Sequence, residues 1–137
     1  MSLKEFSWPI RVYYEDTDAA GLVYYANYLR FMERGRTEWL RALGFEQTEL
    51  RDEYGIVFAV SKVELEFLKP ARFNDSLSVT VEISRAGKAS LDLLQRVFRG
   101  AEELVCRGAV RIACVDARTM KPCSIPSAVF TELERVT

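Results

Sequence analysis

The sequence YYEDTDAAGLVYYANYLRFMERGRTEWL, residues 13–40, joins an acidic, glycine-containing loop to a long amphipathic pattern. Apolar residues recur at helical spacing from about Tyr24 to Leu43, which predicts one long helix with a buried face. Gly35 lies within that face, so we expect the helix to pass very close to another backbone there. Gly44 is typical of a residue that ends a helix.

Strand patterns flank this helix on both sides. Residues 8–15 alternate, and Trp8, Ile10, Val12 and Tyr14 share the face predicted to point inward. A short helix is predicted over residues 46–54 and another after Pro126. Four further strands are predicted, over Ile56–Leu68, Leu77–Ile83, Ser90–Phe98 and Glu103–Val115. This order predicts an α+β fold in which an antiparallel sheet of about five strands wraps the long helix.

Length and composition bound the class of protein. The chain has 137 residues, 49% hydrophobic and 28% charged, which indicates one globular domain over residues 1–137. A net charge of -1 argues against a general nucleic-acid binder. No apolar run approaches the roughly 20 residues of a membrane span, and MSLKEFSWP lacks the apolar core of a signal peptide. We therefore expect a cytoplasmic location.

The chain contains no histidine and three cysteines. This disfavours Ser-His-Asp and Cys-His catalysis, and the cysteine spacing fits no zinc site. Cys106 and Cys114 are better interpreted as small buried hydrophobic residues. Asp16 and Asp18 form an Asp-x-Asp pair, but the following residues lack the other ligands of an EF-hand, so we expect Asp16 to cap a turn and no metal to bind.

The loop and helix resemble those of the hotdog-fold acyl-CoA thioesterases, in the branch of the 4-hydroxybenzoyl-CoA and Tol–Pal-associated enzymes. A second stretch, VSKVELEFLKPARFND at residues 60–75, resembles the central strand of that family and the proline-containing turn after it. The resemblance covers roughly residues 8–116. The residues that carry the loop motif are Tyr13 or Tyr14, Asp16, Thr17, Asp18, Gly21, Val23, Tyr24, Tyr25, Asn27 and Tyr28.

The resemblance implies a hotdog fold, a homodimer or homotetramer built edge to edge, and active sites at the subunit interface. It implies an acyl-CoA substrate, with an acyl carrier protein thioester as the nearest variant. Coenzyme A would then be part of the substrate, and no separate cofactor is expected. The alternative is a non-catalytic module that binds acyl carriers or a scaffold. A hotdog dehydratase is disfavoured, because those enzymes resemble one another in a His-plus-acid pair.

Thioester hydrolysis needs an attacking group and a donor to the oxyanion. By resemblance Asp18 is the catalytic carboxylate, and it can act as nucleophile or as general base for water. Tyr25 falls at the predicted helix start, where a free backbone N–H can meet the thioester oxygen, although its hydroxyl is a second possible donor. Gly21 would allow the loop to fold tightly. Tyr14 is expected either to orient Asp18 or to be a core aromatic.

Substrate-binding residues are predicted less directly. Arg85 and Lys88, in the hairpin SRAGKAS, could hold the phosphates of coenzyme A. The alternatives are the cations Lys62, Lys69 and Arg72. Ser61 and Val63 lie on the strand that lines the pantetheine channel in the family. Four aromatic residues are interpreted as core or as lining of an acyl pocket: Tyr28, Phe31, Phe58 and Phe67.

Overall fold

The computed structural model describes residues 5–137, so residues 1–4 of the predicted domain and of the MSLKEFSWP segment lie outside the described residues. The strands are β1 (Phe6–Arg11), β2 (Ile56–Phe67), β3 (Ser76–Ala86), β4 (Ser90–Arg99) and β5 (Glu103–Asp116). The helices are α1 (Asn27–Ala42), α2 (Gln47–Tyr54) and α3 (Ser127–Arg135). The strands form one antiparallel sheet in the order β1-β3-β4-β5-β2, with α1 against it, as the sequence predicts.

Helix α1 is the centre of the core. Its side chains Phe31, Met32 and Trp39 are fully buried, and each contributes about 1.5–3 kcal/mol or more through removal of apolar surface from water. Met32 belongs to the core cluster near the start of the helix and Trp39 to the cluster near its end. No helix in residues 5–137 combines the length and the apolar character needed to cross a membrane.

Gly35 brings α1 close to the sheet, but the predicted contact with another backbone is wrong. A Cβ at this position would lie 3.0 Å from Cγ1 of Val79 and 3.5 Å from Nε2 of Gln95, so the helix meets side chains of β3 and β4. Gln95 is fully buried and its Nε2 donates to the carbonyl oxygen of Met32 at 3.0 Å. This hydrogen bond joins the backbone of α1 directly to β4 of the sheet.

The ends of α1 test the sequence pattern at both termini. Gly44 has φ +100 and its N–H donates to the carbonyl oxygen of Arg41, while Phe45 N–H donates to that of Leu40, which confirms the predicted stop. The predicted start at Tyr24 is wrong by one turn. Tyr24 N–H donates to the carbonyl oxygen of Asp16, so that residue belongs to the loop rather than to the helix.

Strand β2 lies at one edge of the sheet and pairs only with β5 within the described residues. The register skips Ser61, which is a β-bulge. The bulge changes which residues face α1, because side chains alternate along a strand. Beyond it, Leu65 packs on the core and the ring of Phe67 lies 5.6 Å from that of Tyr28, so odd-numbered residues face the helix.

Candidate functional site

The loop between β1 and α1 folds back on itself. An antiparallel bridge pairs Thr17 with Val23, and Asp18 N–H donates to the carbonyl oxygen of Leu22 at 2.8 Å. Gly21 closes the turn with φ +78, a left-handed conformation that favours glycine, and its N–H donates to the carbonyl oxygen of Asp18 at 3.0 Å. The tight fold predicted for Gly21 is therefore confirmed.

Asp16 is the buried anchor of this loop. It is 2% exposed, and its Oδ2 accepts a hydrogen bond from Tyr13 N–H at 2.8 Å, so the predicted cap is confirmed. Its carbonyl oxygen accepts from Nδ2 of Asn27 at 2.8 Å. Asn27, the first residue of α1, thereby makes the polar contact to the loop that the sequence predicts.

Asp18 is exposed at the outer bend of the loop. Its Oδ1 accepts two backbone N–H groups, from Ala20 at 2.9 Å and from Leu22 at 3.2 Å. Within residues 5–137 its Oδ2 accepts no hydrogen bond. One carboxylate oxygen is therefore fixed by the loop while the other faces solvent, which is the arrangement needed by a nucleophile or a general base.

Tyr25 lies one residue before the N-cap of α1, which is Ala26. The N–H of Asn27 donates back to Tyr24, but the N–H of Tyr25 meets no acceptor in the part of the chain that the structure describes. A free donor at this position also lies at the positive end of the helix dipole. The phenol of Tyr25 is exposed beside Tyr24, whose pKa it raises.

Tyr14 does not point into the core, so the predicted inward orientation is wrong. β1 ends at Arg11, and Tyr14 begins a short 3-10 turn in which its side chain is 76% exposed. Its ring stacks on Phe73 with centroids 3.8 Å apart, and its side chain has no hydrogen bond to Asp18. Its role in orienting Asp18 remains a prediction. Phe73 was not predicted, because only the fold brings the turn of residues 70–75 beside the loop.

Val63 and Ser61 lie on the edge strand β2. Ser61 is farther than Val63 from the loop that contains Asp18. Phe67, at the end of β2, has its ring 6.1 Å from that of Tyr25. Val63 is four residues back, about 13 Å along the strand, on the face that turns toward α1. Ser61 forms the bulge and its hydroxyl donates to the carbonyl oxygen of Arg111 at 3.4 Å.

Arg85 and Lys88 are not near Asp18 of the same chain. The loop contacts the turn before β3, where Leu22 pairs with Arg72, whereas Arg85 and Lys88 lie at the other end of that strand, roughly 30 Å away. Arg85 instead pairs with Asp92 at 3.3 Å. These two residues are therefore too far from the loop to contact a thioester bound at Asp18 of the same chain, and the phosphate clamp stays a prediction. Arg72 is the predicted cation that lies beside the loop.

An apolar surface borders the loop. We call it the edge surface, and it consists of exposed side chains from the loop, α1, β2 and the residue after β2. Its members are Tyr24, Tyr25, Leu29, Val60, Val63, Phe67 and Leu68. Exposed apolar groups of this number beside an unpaired strand edge are typical of a protein interface.

Two of the three cysteines, Cys106 and Cys114, are poor candidates for catalysis. Cys106 and Cys114 are buried as predicted, and burial raises the pKa of each thiol to about 12. A thiol with so high a pKa is not a thiolate at neutral pH and is a weak nucleophile. In residues 5–137 no three His, Cys, Asp or Glu side chains cluster in a way that could hold a metal ion.

Comparison with known proteins agrees with this geometry. A model of the thioesterase-like superfamily matches residues 12–133. The acyl-CoA thioester hydrolase YbgC of Escherichia coli O6:H1 is 41% identical over 135 residues, 98% of this chain and 100% of the relative. The acyl-CoA thioesterase YbgC of Haemophilus influenzae is 43% identical over 90% of each chain. The crystal structure of a probable thioesterase from Bartonella henselae has a TM-score of 0.85 and 36% identity, covering 89% of this chain and 99% of that one. The predicted hotdog fold is therefore confirmed.

Proposed function

Because this chain belongs to the thioesterase-like superfamily, we propose that it is an acyl-CoA thioesterase in which Asp18 carries out the chemistry. The observation that carries this proposal is the presence, in one loop, of a free hydrogen-bond acceptor and a free hydrogen-bond donor. Oδ2 of Asp18 and the N–H of Tyr25 both lack partners within residues 5–137. Hydrolysis of a thioester needs one group of each kind.

Asp18 can act by either of two routes. As a nucleophile, its Oδ2 adds to the thioester carbon, the C–S bond breaks, and coenzyme A leaves as a thiolate that takes up a proton. Water then hydrolyses the acyl-aspartyl anhydride and restores the carboxylate. As a general base, Asp18 removes a proton from the water that attacks the same carbon. Both routes consume one water and yield the free acid and coenzyme A.

The oxyanion donor is the backbone N–H of Tyr25. Its N–H belongs to the segment that leads directly into α1, so the helix dipole adds to its attraction for negative charge. One such donor is worth about 10²–10³ in rate in an unrelated protease. The phenol of Tyr25 is not required for this role.

A second copy of the chain completes the site. β2 is an open edge with an apolar surface beside it, and pairing of β2 with its symmetry mate would cover both. Two antiparallel β2 strands run in opposite directions, so the far end of one subunit meets the loop end of the other. In that arrangement Arg85 and Lys88 of the partner subunit lie at the end of the dimer that contains Asp18. The predicted clamp on the coenzyme A phosphates then forms between subunits, and further pairing into a tetramer is compatible with it.

The substrate could also be an acyl carrier protein, since both carriers present a phosphopantetheine arm. The non-catalytic alternative keeps binding but loses turnover. A cytoplasmic location is part of the proposal, because acyl-CoA would be the substrate there.

Thiol release from a panel of acyl-CoAs and one acyl carrier protein thioester tests the proposal. We expect release by the native protein and a rate at least ~10² lower for Asp18→Asn. Asp52→Asn, a change at an exposed acid of α2, is the matched control and should leave the rate unchanged. Binding of coenzyme A thioesters without release of thiol from any of them would instead establish the non-catalytic module.

A further inference from the structure

A partly buried arginine lies behind the turn that supports the loop of Asp18. Arg99, the last residue of β4, donates from Nη1 to the carbonyl oxygen of Pro70 at 2.8 Å and to Oδ2 of Asp75 at 2.9 Å. Its Nε donates to Oε1 of Glu103 at 2.7 Å. Its side chain is only 24% exposed. We call this set of four residues the Arg99 clamp.

The clamp closes the turn of residues 70–75 at both ends. Arg99 holds Pro70 at the start of the turn and Asp75 at its end. Oδ2 of Asp75 also accepts the N–H of Arg72 at 2.9 Å, and Asp75 N–H donates to the carbonyl oxygen of Arg72 at 3.1 Å. The guanidinium of Arg99 therefore contacts both ends of a turn that is also closed by hydrogen bonds between Arg72 and Asp75.

The turn of residues 70–75 then holds the loop that contains Asp18, through one arm of the loop before Asp18 and one arm after it. On the arm before Asp18, Val12 N–H donates to the carbonyl oxygen of Asp75 at 3.0 Å. On the arm after it, Val23 N–H donates to the carbonyl oxygen of Ala71 at 2.8 Å. Ala71 and Val12 are fully buried, so neither hydrogen bond is open to replacement by water.

The carboxylate of Asp18 and the N–H of Tyr25 are both close in sequence to Val23, which the turn holds. Leu22 precedes Val23, and its N–H donates to Oδ1 of Asp18 at 3.2 Å. Tyr25, which carries the free N–H, follows Val23 by two residues. The carboxylate and the amide therefore take their positions from the same short segment, which the turn holds in place.

We infer that Arg99 is a positioning residue for the reaction, acting through the turn of residues 70–75 on both Asp18 and the N–H of Tyr25. This inference rests on the proposed function for its effect on turnover. It does not require Arg99 to touch the substrate. A displacement of about 1 Å in a catalytic group can cost ~10² in rate, so loss of the clamp should be visible in kcat.

The test compares Arg99→Met with Arg111→Met. Arg111 is the matched control because its Nε donates to Oδ1 of Asp92 at 2.7 Å, a similar arginine–carboxylate pair that is not connected to the turn. Amide hydrogen exchange of peptides that cover residues 12–25 reads the loop directly and needs no activity. Steady-state kinetics with the best acyl-CoA give kcat and KM separately.

We expect Arg99→Met to accelerate exchange in residues 12–25 by at least ~10-fold and to lower kcat by ~10–100-fold, with KM changed less than ~3-fold. Arg99→Lys can restore one ion pair and should recover part of both losses, whereas Arg111→Met should change neither. Unchanged exchange in residues 12–25 would overturn the inference, and so would faster exchange with a native kcat. If the native protein hydrolyses no thioester, the proposed function fails, and the exchange experiment alone then decides whether Arg99 holds the loop.

Discussion

The two ends of the molecule are closed in different ways. At the far end from Asp18, α3 and the segment before it bury Ile125, Val129 and Leu133 against the core, and Ile125 N–H donates to the carbonyl oxygen of Lys88. At the loop end the sheet packs on the first turns of α1, and the loop is held by backbone hydrogen bonds to the turn that the Arg99 clamp contacts. Both ends therefore contain a buried apolar cluster, and directional polar contacts add to it at the end where the chemistry is proposed.

Leu133→Ala should have the largest effect on stability. Leu133 is fully buried at the far end, and removal of such a side chain typically costs about 2–5 kcal/mol. Denaturant unfolding should show this loss, while kcat of the remaining folded protein stays within ~2-fold of native. A loss of turnover at native stability would mean that the far end also shapes the site.

Gly21→Ala tests the loop end with a smaller change. The left-handed φ of +78 costs a non-glycine residue roughly 1–2 kcal/mol, although the added methyl meets no atom within 4 Å. The strain should loosen the turn that places Asp18 and lower kcat by ~10-fold or more. Gly55→Ala is the matched control, with φ +69 and equally open space at the end of α2. It should cost similar stability and leave kcat unchanged; equal kinetic losses in the two variants would refute the local effect.

Several features of the loop and of α1 were predictable from local sequence patterns. Asp16, Gly21 and Gly44 act within a few residues of their own position, so the sequence predicts their roles correctly. The exposed position of Tyr14 was not predictable, since alternation continues past Arg11 in the sequence although the sheet pairing ends there.

Contacts between residues far apart in the sequence could not be predicted, because they depend on how the strands and turns pack. The distance between Arg85 and Asp18 depends on strand order, and the two partners of Arg99 in the turn, Pro70 and Asp75, lie 29 and 24 residues before it in the sequence. The bulge at Ser61 also interrupts the alternating pattern of β2. The residues that face the core are even-numbered before the bulge and odd-numbered after it.

Tyr25→Phe separates the backbone of the loop from its side chain. The N–H proposed as oxyanion donor remains in this variant, and only the exposed hydroxyl is lost. We expect kcat to fall less than ~3-fold in the thiol-release assay. A fall as large as that of Asp18→Asn would assign the donor role to the hydroxyl instead.

The acid dependence of stability reports on the clamp itself, and its effect is the smallest. Hydrogen bonding and charge from Arg99 lower the pKa of Glu103 from its ordinary 4.5 to about 2 in the folded protein. A lowered folded-state pKa means that the contribution is complete above about 4.5 and disappears as the pH falls toward about 2. Glu103→Gln should therefore be slightly less stable than native at pH 7, and the difference should be small at pH 2 and vanish below it. A difference that is undiminished at pH 2 would show that this ion pair is not its source.

The most direct measurement of the central claim is made on one preparation of Asp18→Asn. Affinity for a non-hydrolysable acyl-CoA analogue and the rate of thiol release from the matching thioester are determined on that sample. Our account predicts a dissociation constant within ~3-fold of native and a rate at least ~10² lower, because the loop keeps its fold while the attacking oxygen is lost. Native-like thiol release by this variant would contradict the assignment of the chemistry to Asp18.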